Sequence, residues 1–141
     1  MRLRSAAAED AEALAAVHAK AFDASWTCDD IARLMQIMGG FALLAEEDGV
    51  VGFILARTMG GEAEILTLAV APWARRSGVG AALVQAVVER AQALGASALF
   101  LEVAADNDAA ARVYLKAGFE QAGLRRAYYS RPGAATEAAR A

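Results

Sequence analysis

Ile65-Leu66-Thr67-Leu68-Ala69-Val70-Ala71-Pro72, followed by Arg75-Arg76-Ser77-Gly78-Val79-Gly80, decides how this 141-residue chain is read. The first run is aliphatic and β-branched, as a buried strand requires, and Pro72 stops it. Residues 81–94 then read as a helix. Leu83, Ala86, Val87, Ala91 and Leu94 share one face, and Gly95 supplies the C-terminal stop. A strand, a glycine-rich turn and a helix together form an anion site. The first N–H groups of the helix lack internal partners, and the helix dipole adds positive potential there. Gly78 and Gly80 permit close backbone approach, and Arg75 and Arg76 offer charge-assisted hydrogen bonds. No Gly-Lys-Ser/Thr closes the loop, so it is not a Walker A loop. Gly78-Val79-Gly80-Ala81-Ala82-Leu83 lacks the third small residue of a dinucleotide fingerprint. The hexapeptide alone leaves open an ordinary turn with solvated arginines.

Bulk properties narrow the classes. The length suits one domain with its own core, and 57% hydrophobic content argues against disorder. No apolar run reaches the ~20 residues of a membrane span, and Met1-Arg2-Leu3-Arg4-Ser5 is not followed by the apolar stretch of a signal peptide. A cytoplasmic location without membrane association is expected. Cys28 and His18 are the only residues of their kinds, so an internal disulfide is impossible and no Cys/His metal site is expected. A net charge of −3 and a pI near 5.2 argue against nucleic acid as a partner.

Along the chain, residues 1–6 read as a short edge strand. Residues 8–22 read as a helix with Leu14, Val17 and Ala21 inward and Glu9, Asp10 and Glu12 at its positive end. Thr27-Cys28-Asp29-Asp30 is a capping-box signature opening a second helix striped by Ile31, Leu34, Met35 and Met38. Residues 41–46 and 50–59 flank a turn at Asp48-Gly49, and Gly60-Gly61 turns into the strand ending at Ala71. These three strands are expected to form an antiparallel meander. The helix then crosses over to a parallel strand at residues 98–103. Residues 109–117 read as a short helix and 119–129 as a further strand. The alanine-rich, polar tail shows no strand pattern.

This order of elements carries a resemblance. Arg75-x-x-Gly78-x-Gly80 after Leu66-Thr67-Leu68-Ala69-Val70 resembles the acetyl-CoA signature of the GNAT superfamily of N-acetyltransferases. Leu101-Glu102-Val103, Asn107, Ala110, Tyr114 and Gly118-Phe119 follow at its spacing. With Arg125-Arg126-Ala127-Tyr128-Tyr129 and Trp26, they resemble the bacterial ribosomal-protein-alanine N-acetyltransferases, the RimI type. The resemblance implies an α/β (α+β) fold. Its mixed, mostly antiparallel sheet has about six or seven strands with a parallel, splayed pair at strands 4 and 5, and about four flanking helices. It covers residues 1–131 as one acetyltransferase domain. Residues 132–141 depart from it, as a degenerate last strand or a disordered tail.

The resemblance also implies roles. Residues 75–81, namely Arg75, Arg76, Ser77, Gly78, Val79, Gly80 and Ala81 with the intervening turn, cradle the pyrophosphate of acetyl-CoA, the cosubstrate; no metal is implied. Backbone groups of Leu68, Ala69 and Val70 pair with the pantetheine arm like a sheet edge, and Asn107 also holds the arm. An amide on that edge stabilises the oxyanion.

Glu102 interrupts an apolar strand, where desolvation raises a carboxyl pKa, and serves as base directly or through a water. Its alternative is a rim glutamate paired with an arginine. Tyr114 serves as acid for the departing thiolate, a phenol of pKa ~10 staying protonated at neutral pH; its alternative is a packed aromatic. Trp26, Tyr128 and Tyr129 flank the acceptor groove by resemblance, or simply pack on loops. His18 continues an apolar stripe and reads as structural.

The implied acceptor is a protein N-terminal amine, that of the alanine of ribosomal protein S18 first, with a monomer as the default state. A small-molecule amine acetyltransferase and a non-catalytic acetyl-CoA sensor are the alternatives.

Overall fold

Val50-Val51-Gly52-Phe53-Ile54-Leu55-Ala56 offers no polar face, and the fold places it inside a sheet covered on both sides. The computed structural model describes residues 1–22, 26–75, 77–104, 113–114, 120–126 and 135–140, with 102–104, 120–126 and 135–140 described as backbone only.

The chain begins with β1 (Arg2–Ser5), a 3-10 turn (Ala8–Asp10), α1 (Ala11–Ala21) and α2 (Cys28–Gln36). The meander β2 (Gly40–Glu46), β3 (Val50–Met59) and β4 (Glu62–Val70) follows. A second 3-10 turn (Pro72–Ala74) leads into α3 (Val79–Ala93), then β5 (Ala98–Ala104), β6 (Glu120–Arg126) and β7 (Ala135–Arg140).

The sheet has seven strands in the order β1-β2-β3-β4-β5-β7-β6. Only β4 and β5 pair in parallel, across the α3 crossover. The mixed fold with a parallel pair at strands 4 and 5 is therefore present. The described residues hold three α-helices, and residues 113–114 are helical; the rest of the helix expected over 109–117 lies outside the described residues.

Strand alternation builds two cores. Leu43, Ala45, Ile54 and Ala56 pack with Leu83, Val84 and Val87 of α3. Their neighbours Ala42, Leu44, Phe53 and Leu55 pack with Leu14 and Val17 of α1 and Ile31 of α2. Gly52 sits where a Cβ would lie 3.0 Å from Val79 Cγ1 and 3.1 Å from the Ala69 carbonyl oxygen, so its missing side chain lets the start of α3 rest on the sheet. The capping box of α2 forms as its sequence predicts. Thr27 Oγ1 accepts from the Asp30 N–H at 3.1 Å, and Asp30 Oδ2 accepts from the Thr27 N–H at 3.1 Å.

One reading changes, and one of the tail's two alternatives is decided in favour of a strand. The helix expected over residues 8–22 is a 3-10 turn followed by α1. At this junction Asp10 Oδ2 accepts from the Ala7 N–H at 2.8 Å. The tail, poor in strand formers, supplies β7, which lies between β5 and β6 and pairs antiparallel with both. Ladders on both edges override weak intrinsic propensity, because β-propensity is mostly a property of context. β7 carries the sheet past residue 131. Among the described residues no helix is long and apolar enough to cross a membrane.

Arg4 ties the N-terminal edge together. Its two terminal nitrogens donate to both carboxylate oxygens of Asp10 at 2.9 Å, while its Nε donates to Glu46 of β2. These bonds hold the Asp10 carboxyl at about 2, below its ordinary 3.8. A depressed carboxyl pKa stabilises the fold above the unfolded value, and that stability disappears as pH falls through the folded value. Asp10→Asn is therefore expected to lower the thermal midpoint at pH 7. The gap to the parent should close between about pH 4 and pH 2 in a melting series, and a gap unchanged by acid would remove the ion pair from the account.

Candidate functional site

The site begins where two strands part. The parallel ladder between β4 and β5 runs from Glu62↔Ala98 to Ile65↔Leu101. Beyond it, β4 continues to Val70 beside β3, and β5 continues to Ala104 beside β7. A bulge marks the parting. Leu55 faces Thr67 and Ala56 faces Ile65, leaving Leu66 as the extra residue. Leu66 packs in the α1/α2 core, and Thr67 reaches toward His18 on the same side, so two consecutive residues share a face.

The bulge also fixes which backbone groups face the gap. The Ala71 N–H donates to the Val51 carbonyl at 2.8 Å, making that a hydrogen-bonded pair of the β3–β4 ladder. By alternation Ala69 turns its backbone groups to Phe53 in the next such pair. Leu68 and Val70 then present theirs to the opposite edge, where β5 has left. Of the three residues expected to meet an extended ligand, these two carry the edge, with Ala69 between them.

The start of α3 lies beside that edge. Gly78, its N-cap, has φ +88°, a left-handed conformation that glycine adopts without strain. No side chain caps this end, and the first bond closing the helix runs from the Ala82 N–H to the Gly78 carbonyl at 3.0 Å. The amides of Val79, Gly80 and Ala81 thus have no partner within the helix. Ser77 Oγ donates to the Ala74 carbonyl and fastens the turn. Arg75 Nε donates to the Val70 carbonyl at 3.3 Å, so the guanidinium is tethered to the open edge. A Cβ on Gly80 would make only ordinary contacts, at 3.8 Å with Val113 and Val70 and 4.0 Å with Leu68. Among the described residues nothing requires glycine there, whereas a ligand lying across the helix start would. These residues fit a pyrophosphate and an arm running along β4. Arg76 lies outside the described residues.

The two acid–base candidates lie on different elements. Tyr114 is buried at 6% exposure in the α3-side core, and burial pushes its phenol pKa up. It follows Val113, the neighbour of Gly80, so the segment carrying the expected acid adjoins the cradle. Glu102 is the first β5 residue past the last partner of β4, and its backbone pairs with Ala138 of β7. Asn107, Tyr128 and Tyr129 lie outside the described residues. Trp26 stands before α2, partly buried, with its N–H donated to His18 Nδ1 at 3.1 Å. Among the described residues no group of three or more His, Cys, Asp or Glu side chains is placed to hold a metal ion.

Val113 and Gly52, which adjoin the helix start, carry no signal in the sequence. A hydroxyl inside an apolar strand is the one signal that singles out Thr67.

Comparison with known proteins agrees with this geometry. The model of the acetyltransferase (GNAT) family matches residues 11–119. A ribosomal protein bS18-alanine N-acetyltransferase of Haemophilus ducreyi is 35% identical over 92 residues, spanning 65% of this chain and 63% of the relative. The chain is similar in structure to the ribosomal-protein-S18-alanine N-acetyltransferase of Escherichia coli, with a TM-score of 0.87 and 25% identity, covering 99% of this chain and 91% of that one. It is also similar to Ard1 of Thermoplasma volcanium, with a TM-score of 0.86 and 28% identity, covering 99% and 95%.

Gly80 gives a test with effects of opposite sign. Alanine in the first turn of α3 meets no clash among the described residues and is a better helix former by roughly 1 kcal/mol. Gly80→Ala should raise the melting temperature of the free protein. It should also weaken acetyl-CoA binding by about tenfold or more, as an added methyl in a close contact does. Calorimetric titration beside a melting curve reads both. A stabilised variant with undiminished binding would place the cradle elsewhere.

Proposed function

The chain belongs to the acetyltransferase (GNAT) family, and we propose that it moves the acetyl group of acetyl-CoA to a protein N-terminal amine in the cytoplasm, with the N-terminal alanine of ribosomal protein S18 as first acceptor. The observation that carries this reading is the parting of β4 from β5 beside the uncapped start of α3. An extended arm with an anionic end matches an open strand edge that leads to a helix N-terminus. The relatives named for bS18-alanine acetylation support the choice of acceptor.

In this reading Val79, Gly80 and Ala81 donate their amides to the pyrophosphate, and Arg75 and Arg76 add charge. Leu68 and Val70 pair with the arm, Asn107 holds it from the other side, and Trp26, Tyr128 and Tyr129 border the acceptor. Glu102 takes a proton from the ammonium group, directly or through a water, freeing the nitrogen lone pair. That nitrogen forms the new bond to the thioester carbonyl carbon, and the carbon–sulfur bond breaks. Tyr114 gives its proton to the departing sulfur and recovers one from solvent. The amine nitrogen sheds its second proton as the amide forms, so the products are an N-acetyl amide, the free thiol and one released proton. A buried phenol with a raised pKa suits this role because it stays protonated until the sulfur needs it.

A panel of lysine-blocked peptides with different N-termini, lysine peptides with blocked N-termini and small amines tests the acceptor. Alanine-first peptides are expected to be preferred. Preference for a free small amine would replace the proposal, and binding without turnover would make the chain a sensor.

For the base, Glu102→Gln should lower the rate by roughly 10²–10⁴ at neutral pH, with the loss shrinking as pH rises and the amine deprotonates unaided. An α-amino substrate should recover at lower pH than a lysine substrate, following a pKa gap of ~2.5 units. Tyr114→Phe should lower kcat and leave acetyl-CoA affinity unchanged. Folded Glu102→Gln protein with parental turnover and pH profile would remove Glu102 from the mechanism.

A further inference from the structure

His18 is the one buried polar residue among the described side chains, at 3% exposure, and both its ring nitrogens point at other elements. Nδ1 accepts the backbone N–H of Trp26 at 3.1 Å. Nε2 lies 3.5 Å from Thr67 Oγ1, the hydroxyl on the bulge of β4. A nitrogen that accepts an N–H carries no proton, so the proton sits on Nε2 and is directed at the Thr67 hydroxyl. The ring stacks on Phe22 at 4.5 Å and on Trp26 at 5.1 Å, with Phe53 of β3 at 6.2 Å.

An apolar side chain would fill this space without bringing two polar atoms into a core. What the imidazole adds is a rigid connection with one end at the segment before α2 and the other at the residue where β4 turns from β5. We infer that His18 is a positioning residue for acetyl transfer, a strut that fixes Trp26 and Thr67 in register across the acceptor side of the open β4 edge. The inference rests on the reading above, in which Trp26 borders the acceptor and the β4 edge holds the arm.

The two ends of the strut can be cut separately. His18→Phe keeps an aromatic ring and removes both polar contacts. His18→Asn retains an acceptor near the position of Nδ1 and loses the reach to Thr67. Thr67→Val removes only the hydroxyl. Amide hydrogen exchange at Trp26 reads the first end directly. Exchange is expected to speed up by about tenfold or more in His18→Phe, the order of a lost buried hydrogen bond, and to stay near the parent rate in His18→Asn and Thr67→Val. In steady-state kinetics His18→Phe should raise KM for an alanine-first peptide by about tenfold and leave KM for acetyl-CoA unchanged. Thr67→Val should impair acetylation several-fold in the parent and add nothing in the His18→Phe background, since the shared contact is already gone.

Unchanged Trp26 exchange in folded His18→Phe protein overturns the strut. So does a His18→Phe variant that melts earlier but keeps parental constants per folded molecule, because that is the signature of a residue serving stability alone. If His18→Phe does not fold, the other two variants decide. Fast Trp26 exchange in His18→Asn, or a Thr67→Val enzyme with parental constants, overturns the inference. A parent enzyme that acetylates no peptide N-terminus overturns the acceptor reading instead, and the exchange data still judge the strut.

Discussion

The parting of β4 from β5 is the constraint on which the rest of this molecule depends. A parallel pair inside a sheet is ordinarily continuous, because each strand satisfies the backbone groups of the next. Here the ladder ends at Ile65↔Leu101, and the strands go on with other partners, β4 with β3 and β5 with β7. The bulge at Leu66 increases local twist and turns β4 aside. An edge is thereby opened within the sheet, the kind of edge an extended ligand pairs with. Val70 shows how the fold manages the edge, with its carbonyl occupied by Arg75. The same contact places a positive charge where the polyanionic end of such a ligand would arrive.

This arrangement separates local charge from overall charge. The chain is acidic in sum, with a formal net charge of −3. The start of α3 is nonetheless locally positive, because main-chain amides at a helix start and a tethered arginine gather there rather than a basic surface. Gly78 and Gly52 make it possible from two directions. The first allows the left-handed turn into α3, and the second lets that helix end press against the sheet. The position of this helix start is therefore set by packing.

Sequence alone carried the local parts of this design well. The apolar run ending at Pro72, the glycine turn and the following helix were legible because each has a strong local signature, as was the capping box at Thr27. The meander and the parallel crossover followed from turn glycines and helix length. The bulge was not legible, since Leu66 differs in nothing from its neighbours until Ala56 and Leu55 are seen to face Ile65 and Thr67. Nor was the place of β7, whose alanines reveal no strand preference and gain order from ladders on two sides. His18 read as a half-buried structural residue, and the fold buries it almost completely. Its two long-range partners could not be inferred, because they join residues 8 and 49 positions away.

The chemistry proposed for the site follows from what burial does to each group. Tyr114 and His18 are both driven toward their neutral forms by desolvation, the phenol upward in pKa and the imidazole downward. In the proposed reaction the charge would then be carried by the reactants and by a carboxylate. An α-ammonium group of pKa near 8 requires only ~1 kcal/mol to lose its proton at neutral pH, whereas a lysine near 10.4 requires roughly 4–5 kcal/mol. Glu102 holds the first β5 position beyond the shared ladder, and in the proposed mechanism it is the one carboxylate called on. One such group is sufficient for an N-terminal amine and marginal for a lysine. The selectivity proposed here therefore has an energetic basis independent of the shape of the acceptor groove.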